Sequence, residues 1–406
     1  MRCRHCHSSS LHTFLDLGFA PPSNAYLSEA DLKKPEKYYP LKVLVCDQCW
    51  LVQTEEHIGA GELFSADYAY FSSTSTSWLD HAKQFAIQMI ERLALGEGSL
   101  VIEVASNDGY LLKNFVGAGI PSLGIEPTAS TAMAAESVGV PVLREFFSQA
   151  LGKRLASEGR CADLIVGNNV YAHVPDVNDF TKGLKAALKF NGTITLEFPH
   201  LMRLLEQAQF DTVYHEHFSY FSLYTVNAIF AAVGLRVWDV EELTTHGGSL
   251  RIYGCHKDDA RATTEAVQVL LEEETRRGMQ TLRPYASFQS RADKIKDDLV
   301  EFLIKQKKSG KLLVAYGAAA KGNTLLNYAG VKPDLLPSVS DAATAKQDKF
   351  MPGSHIPIFS AQAVVDAKPD YVLILPWNIA GEVKSQLSPE LPNTQFVIAV
   401  PELANI

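Results

Sequence analysis

Two residue clusters in this 406-residue chain have the types and spacing to do chemistry. The first is Cys3, Cys6, Cys46 and Cys49, two Cys-x2-Cys knuckles at the start of the chain. Each knuckle lets two thiolates meet one ion from a single turn, and four thiolates suit tetrahedral Zn²⁺. With sulfur at all four positions, the expectation is one structural zinc ion that replaces a core a segment of about 60 residues cannot easily build. His5, His7 and His12 stand nearby, but four sulfurs already complete the site. Cys161 and Cys255 read as ordinary buried thiols. The second cluster is VYHEHFSYF at 213–221, with Tyr214, His215, Glu216, His217, Ser219 and Tyr220. Histidine titrates near neutral pH, so this segment suggests acid–base work. If it is extended, His215 and His217 share a face, whereas a helix would splay them by about 200°. Periodicity leaves either one as the base. Metal binding by these neighbours is disfavoured, because adjacent residues cannot all face one ion without distortion. THGGSLR, which holds His246, and DYAYFSSTS, which holds Tyr68, are candidates to line the same cleft.

Strand ends supply a third set. VIEVASNDGYLL reads as strand, tight turn and helix, with Glu103, Ser106, Asn107 and Asp108 in or beside the turn. In an open α/β sheet, ligands bind beyond the carboxyl ends of the strands. No G-x-G-x-x-G is present, which argues against a nicotinamide dinucleotide. LGIEP places Glu126 at the next strand end, where a carboxylate accepts hydrogen bonds from ribose hydroxyls. VGNNVYAHVPD sets Asn168 and Asn169 after another apolar run, followed by His173. Near the C-terminus, YGAAAKGN puts Gly317 at a strand end and Lys321 and Asn323 at a helix start. A helix N-terminus favours an anion, and a lysine there adds a point charge suited to a diphosphate. The spacing is not that of a Walker A loop. Asp341, which ends the strand in VSD, is expected to meet a ribose hydroxyl.

The elements that must position these residues follow from periodicity. Apolar residues at spacings of three and four predict a helix over 79–95. Beyond it, apolar runs at 100–105, 122–125, 164–166 and 193–198 alternate with helical stretches, as in parallel βαβ units. Two more strands are expected at 235–240 and 249–254. Two helical segments broken near Pro284 fill 263–308, and a smaller parallel sheet follows. The expected division is 1–65, 66–260, 261–310 and 311–406. Lys plus Arg total 37 and Asp plus Glu total 46, a net charge of −9. That balance gives no electrostatic footprint for a nucleic acid. No uncharged apolar run approaches 18 residues, so no membrane span is expected. The first residues lack the apolar middle of a signal peptide, which makes the cytoplasm the expected compartment.

The ordered set of four-Cys module, DYAYFSSTS, EVASNDGYLL, GIEP, NNVYAHV, VYHEHFSY, HGGSLR and YGAAAKGNTLL resembles the sugar C-methyltransferases of deoxysugar pathways, over essentially the whole chain. The resemblance implies an α/β protein with an N-terminal zinc-binding module, a central doubly wound class I methyltransferase sheet that binds S-adenosylmethionine, and a smaller C-terminal Rossmann-like α/β domain that helps hold a nucleotide. The implied partner is a nucleotide-diphosphate 4-keto-6-deoxy sugar, methylated at C3. By that similarity His217 is the base, and Tyr214, Glu216, His173 and Tyr68 surround the sugar. The competing readings are a sugar-nucleotide oxidoreductase or dehydratase, which would need a nicotinamide site, and a zinc-ribbon interaction protein on an inactive α/β domain, which would need no acid–base cluster.

Overall fold

The computed structural model describes residues 1–55, 59 and 71–406. Tyr68 lies outside the described residues. Three sheets organise the chain. A four-stranded antiparallel sheet runs Leu11–Ala20, Tyr39–Cys46, Val52–Thr54, Ser219–Tyr220. Its last strand comes from the far end of the histidine segment, so the N-terminal module is stitched directly to the candidate chemistry.

The central sheet has seven strands in the order Leu235–Leu243, Ser249–His256, Leu188–Pro199, Ala162–Asn168, Val101–Val104, Ser122–Ile125, Val142–Leu143. The last five are parallel, and the first two form an antiparallel edge. The parallel strands are apolar on both faces because helices cover both sides. Polar N-caps start those helices where they are needed: Ser75, Ser148, Asp176 and Ser222 each accept from a backbone N–H in the first turn. The helix predicted over 79–95 spans Thr76–Arg92.

The connector forms helices Glu265–Arg276, Arg283–Ala286 and Phe288–Lys308, with Pro284 in the first turn of the middle one, where its missing N–H costs nothing. The six-stranded C-terminal sheet runs Ile358–Ser360, Val339–Asp341, Leu313–Tyr316, Tyr371–Ile374, Gln395–Ile398, Ala404–Asn405, and is parallel except at the last strand. Among the described residues no helix is long and apolar enough to cross a membrane.

Candidate active site

The four cysteine sulfurs lie within 4.8 Å of one another. Cys3 and Cys49 are 3.4 Å apart and Cys6 and Cys46 are 3.6 Å apart. A tetrahedron with Zn–S bonds near 2.3 Å needs edges of about 3.8 Å, so the donor set suits zinc with shifts of about 1 Å or less. Between the first two cysteines, Arg4 faces the protein. Its Nη2 donates to Thr54 O at 3.0 Å, and its guanidinium lies 5.2 Å from the Phe218 ring centre. Thr54 in turn donates its hydroxyl to His217 O at 2.9 Å. The zinc knuckle therefore rests against the backbone that carries the histidines.

That backbone is not extended. His217 N–H donates to Tyr214 O, which closes a turn, and the common face that an extended segment would give His215 and His217 does not form. His215 turns toward the N-terminal module, with Nε2 3.3 Å from Tyr39 O, and it does not border the cleft. His217 points the other way. Its Nδ1 lies 3.1 Å from Thr212 O. A carbonyl can only accept, so Nδ1 carries the proton and Nε2 keeps its lone pair. Nε2 receives the Tyr214 hydroxyl at 2.7 Å. Burial, and secondarily the nearby His173, drives the His217 imidazole well below the ordinary histidine range, so it is neutral at pH 7. His173 stands edge-on at 4.6 Å and is itself pushed down by burial to about 4.

A cleft of about 820 Å³ joins this cluster to the carboxyl ends of the central strands. Asn107, Glu126, Asn168 and Asn169 border it, as do Tyr214, Glu216, His217, His173, His246 and Lys321. Glu126 accepts from Asn107 N–H at 3.0 Å and Thr128 N–H at 2.8 Å, which fixes its carboxylate at the rim. Both amide atoms of Asn168 are buried without a partner among the described residues. Such an orphaned pair signals a polar ligand. Four non-glycine residues on the cleft hold left-handed backbone: Ala105, Asn107, Asn169 and His246, with φ from 49° to 58°. Each costs of order 1–3 kcal/mol, a load that concentrates at working sites. This donor set fits S-adenosylmethionine: Glu126 and Asn168 could hold its polar groups, with Trp78 and Tyr110 also on the cleft.

Three turn residues lie behind the cleft rather than on it. Glu103 is fully buried, and burial pushes its carboxyl well above the ordinary range, with the Tyr110 hydroxyl only partly opposing. Asp108 accepts from Ser73 N–H at 2.9 Å. Ser106 fills the space left by Gly124, where a Cβ would sit 2.4 Å from its hydroxyl.

The C-terminal expectations divide. Lys321 and His246 border the cleft, but Gly317, Asn323 and Asp341 do not. Gly317 has φ +91°, and a Cβ there would lie 2.4 Å from Pro376, so packing requires the glycine. Asn323 donates to Ser23 O at 2.6 Å, and Asp341 accepts from Ala318 N–H and Ala343 N–H, both at 2.7 Å. Their polar atoms brace loops. Sequence reasoning missed several cleft residues. Asn24 donates to Glu216 at 2.7 Å from the N-terminal module. Trp78 stacks between His81 and Tyr110. Glu197, which is buried behind the cleft rather than bordering it, was read only as part of a strand. Burial would raise its carboxyl, but His81 and Arg251 outweigh that and hold it at about 2. It accepts from Thr245, next to His246.

The parallel sheet, its strand-end carboxylate and the adjoining cleft define a class I S-adenosylmethionine-dependent methyltransferase with an N-terminal zinc-binding module. Family models match along the chain: a zinc binding domain over 3–64, a methyltransferase domain over 78–240 and a C-methyltransferase C-terminal domain over 244–401. The chain is 33% identical over 401 residues to C-methyltransferase NovU of Streptomyces niveus, covering 98% of this chain and 95% of that protein. It belongs to the C-methyltransferase family. Among solved structures, magnesium protoporphyrin IX methyltransferase of Synechocystis with bound S-adenosylmethionine is 13% identical, with TM-score 0.33 over 44% of this chain and 81% of that one. The PH0226 protein of Pyrococcus horikoshii is 13% identical, with TM-score 0.38 over 47% and 95%.

Proposed function

We propose that the enzyme methylates a nucleotide-diphosphate 4-keto-6-deoxy sugar at C3, with His217 as the base. The observation that carries this reading is the neutral His217, whose Nδ1–H is fixed by Thr212 and whose Nε2 lone pair faces the cleft shared with Glu126. Carbon is methylated only when its C–H electrons can be delocalised, and a neighbouring carbonyl does this by accepting charge as an enolate. S-adenosylmethionine supplies a methyl group whose bonding pair leaves with sulfur. The chain's residues do the rest. His217 Nε2 takes the proton from the carbon beside the carbonyl, displacing the Tyr214 hydroxyl from that lone pair. Tyr214, Glu216 and His173 surround the sugar, while Glu126, Asn107 and Asn168 hold the donor. Tyr68 joins the sugar-binding group by family resemblance. The four cysteines hold zinc away from the reaction. In this reading residues 1–65, 66–260 and 311–406 act as three units around one cleft, joined by 261–310.

The test is a panel of 4-keto nucleotide sugars incubated with S-adenosylmethionine and read by mass spectrometry. A gain of one methyl at C3 is expected, and His217→Asn should lower turnover by about 10²–10⁴-fold while leaving S-adenosylhomocysteine binding intact. A fully active His217→Asn would remove the base assignment. A panel without any methylated member would remove the substrate class.

A further inference from the structure

We propose that Lys321 is a catalytic residue at the reacting end of the cleft, where its ammonium stabilises the oxyanion formed as carbon is deprotonated. The sequence suggested a point charge at a helix start, suited to a diphosphate. The geometry points elsewhere. Lys321 opens the helix Ala320–Tyr328 of the C-terminal domain, yet its side chain crosses to the methyltransferase side. Nζ donates to His246 O at 3.0 Å and to Asn378 Oδ1 at 3.0 Å, and it sits 4.5 Å from the Trp377 ring centre. An ammonium has three N–H donors, and these two acceptors leave one unused among the described residues. Lys321 borders the cleft together with His217 and Tyr214.

The surroundings are arranged to keep that charge. Asp211 offsets it from the turn Phe210–Thr212 and is itself locked by Trp377 Nε1 at 2.7 Å. The next residue, Thr212, supplies the carbonyl that orients His217. One short turn therefore holds both the base and the counter-charge of the cation. Burial lowers Lys321 to about 8, with Asp211 opposing, so the ammonium predominates at pH 7. Lys321 and His246 both act to lower His217. The cation thus favours the neutral base before the reaction and the anion after it.

The step balances within the established activity. The proton goes to His217 Nε2. The C–H pair becomes the C=C bond, and the carbonyl π pair moves to oxygen, facing Lys321. The pair then returns through carbon to the incoming methyl group, whose former bonding pair stays on sulfur. Preorganised donors aimed at a developing oxyanion typically contribute about 10²–10³-fold each.

This proposal takes its substrate from the function proposed above, and the experiment separates the two. Lys321→Met, Lys321→Arg and Lys321→Met/Asp211→Asn are compared with the wild type on a 4-keto nucleotide sugar. The double variant removes the counter-charge too, which guards against misfolding around a lone buried carboxylate. Folding is checked by S-adenosylhomocysteine affinity. Both Met variants should lose about 10²–10³-fold in kcat, with both KM values nearly unchanged, and should lose D₂O exchange at the deprotonated carbon. The wild-type kcat should fall above about pH 8, the groups facing the ammonium being Asp211, His246 and His217. In Lys321→Arg that alkaline limb should move up, because guanidinium stays charged. A raised sugar-nucleotide KM at unchanged kcat would return Lys321 to the diphosphate and overturn the proposal. If the wild type methylates no member of the panel, the substrate reading fails alone. Histidine NMR then decides the Lys321 assignment: Lys321→Met should raise the His217 pKa, and an unchanged titration overturns it.

Discussion

Arg4→Met tests whether the zinc knuckle positions the base. The substitution keeps both flanking cysteines and most of the apolar stem. It removes the hydrogen bond from Nη2 to Thr54 O, a charged donor at 3.0 Å, worth about 1.5–3 kcal/mol. It also removes the guanidinium over Phe218, worth about 0.5–1 kcal/mol at a half-exposed site. The contact of Nε with Phe218 O at 3.4 Å is near the limit of a hydrogen bond and adds little. Phe218 O retains Thr54 N–H, whereas Thr54 O gives up its Arg4 donor. The sum is about 2–4 kcal/mol, felt locally where the segment 213–221 docks. Hydrogen exchange by mass spectrometry reads this directly. The amides of His217 and Phe218, bonded to Tyr214 O and Ala172 O, report opening. They should exchange about 30- to 1,000-fold faster if the loss falls on local opening. Zinc content and S-adenosylhomocysteine affinity should hold while kcat drops, since a misplacement near 1 Å costs about 10²-fold. Unchanged exchange over 213–221 would refute the coupling, whatever happened to turnover.

Two further outcomes are expected. Glu126→Ala should weaken S-adenosylhomocysteine binding by about 10-fold or more, because each charge-assisted hydrogen bond is worth about 1.5–3 kcal/mol; unchanged affinity by calorimetry would place the ribose elsewhere. The purified protein should carry about one zinc per chain and Cys46→Ser should lose it, because the substitution removes one of four thiolate ligands at a fully buried position; metal analysis showing neither zinc nor another ion would end that claim.

How much of this was legible depends on whether the signal is local. The parallel strands announce themselves as apolar runs, and the four cysteines carry their own geometry in their spacing. The strand read over 193–198 extends across Leu188–Pro199, because Lys189, Asn191 and Gly192 hide its start from any hydrophobic pattern. The conformation of the histidine segment was not legible, since the pattern allowed a strand or a helix and the segment forms a turn. Its turn is held by contacts from Thr54 and Ala172, remote in sequence, which no local pattern reports. Asn24 reaches the cleft from a loop and Asn378 from the single 3-10 turn Trp377–Ile379, both too short to show a period. Lys321 was visible as a cation at a helix start, but its direction is set by His246 O and Asn378, one in each α/β half.

The strand Ser219–Tyr220, which closes the N-terminal sheet, also sets an order of events during synthesis. Both zinc knuckles leave the ribosome with Cys49, but the edge Val52–Thr54 has no partner until residue 220 emerges. At roughly 5–20 residues per second the wait is on the order of ten to thirty seconds. An open strand edge is a template for pairing with another chain. Early capture of zinc would hold the nascent segment compact through that interval. The same dependence means that residues 1–65 cut from the chain would lack the strand Ser219–Tyr220 on that edge and should pair through it with one another.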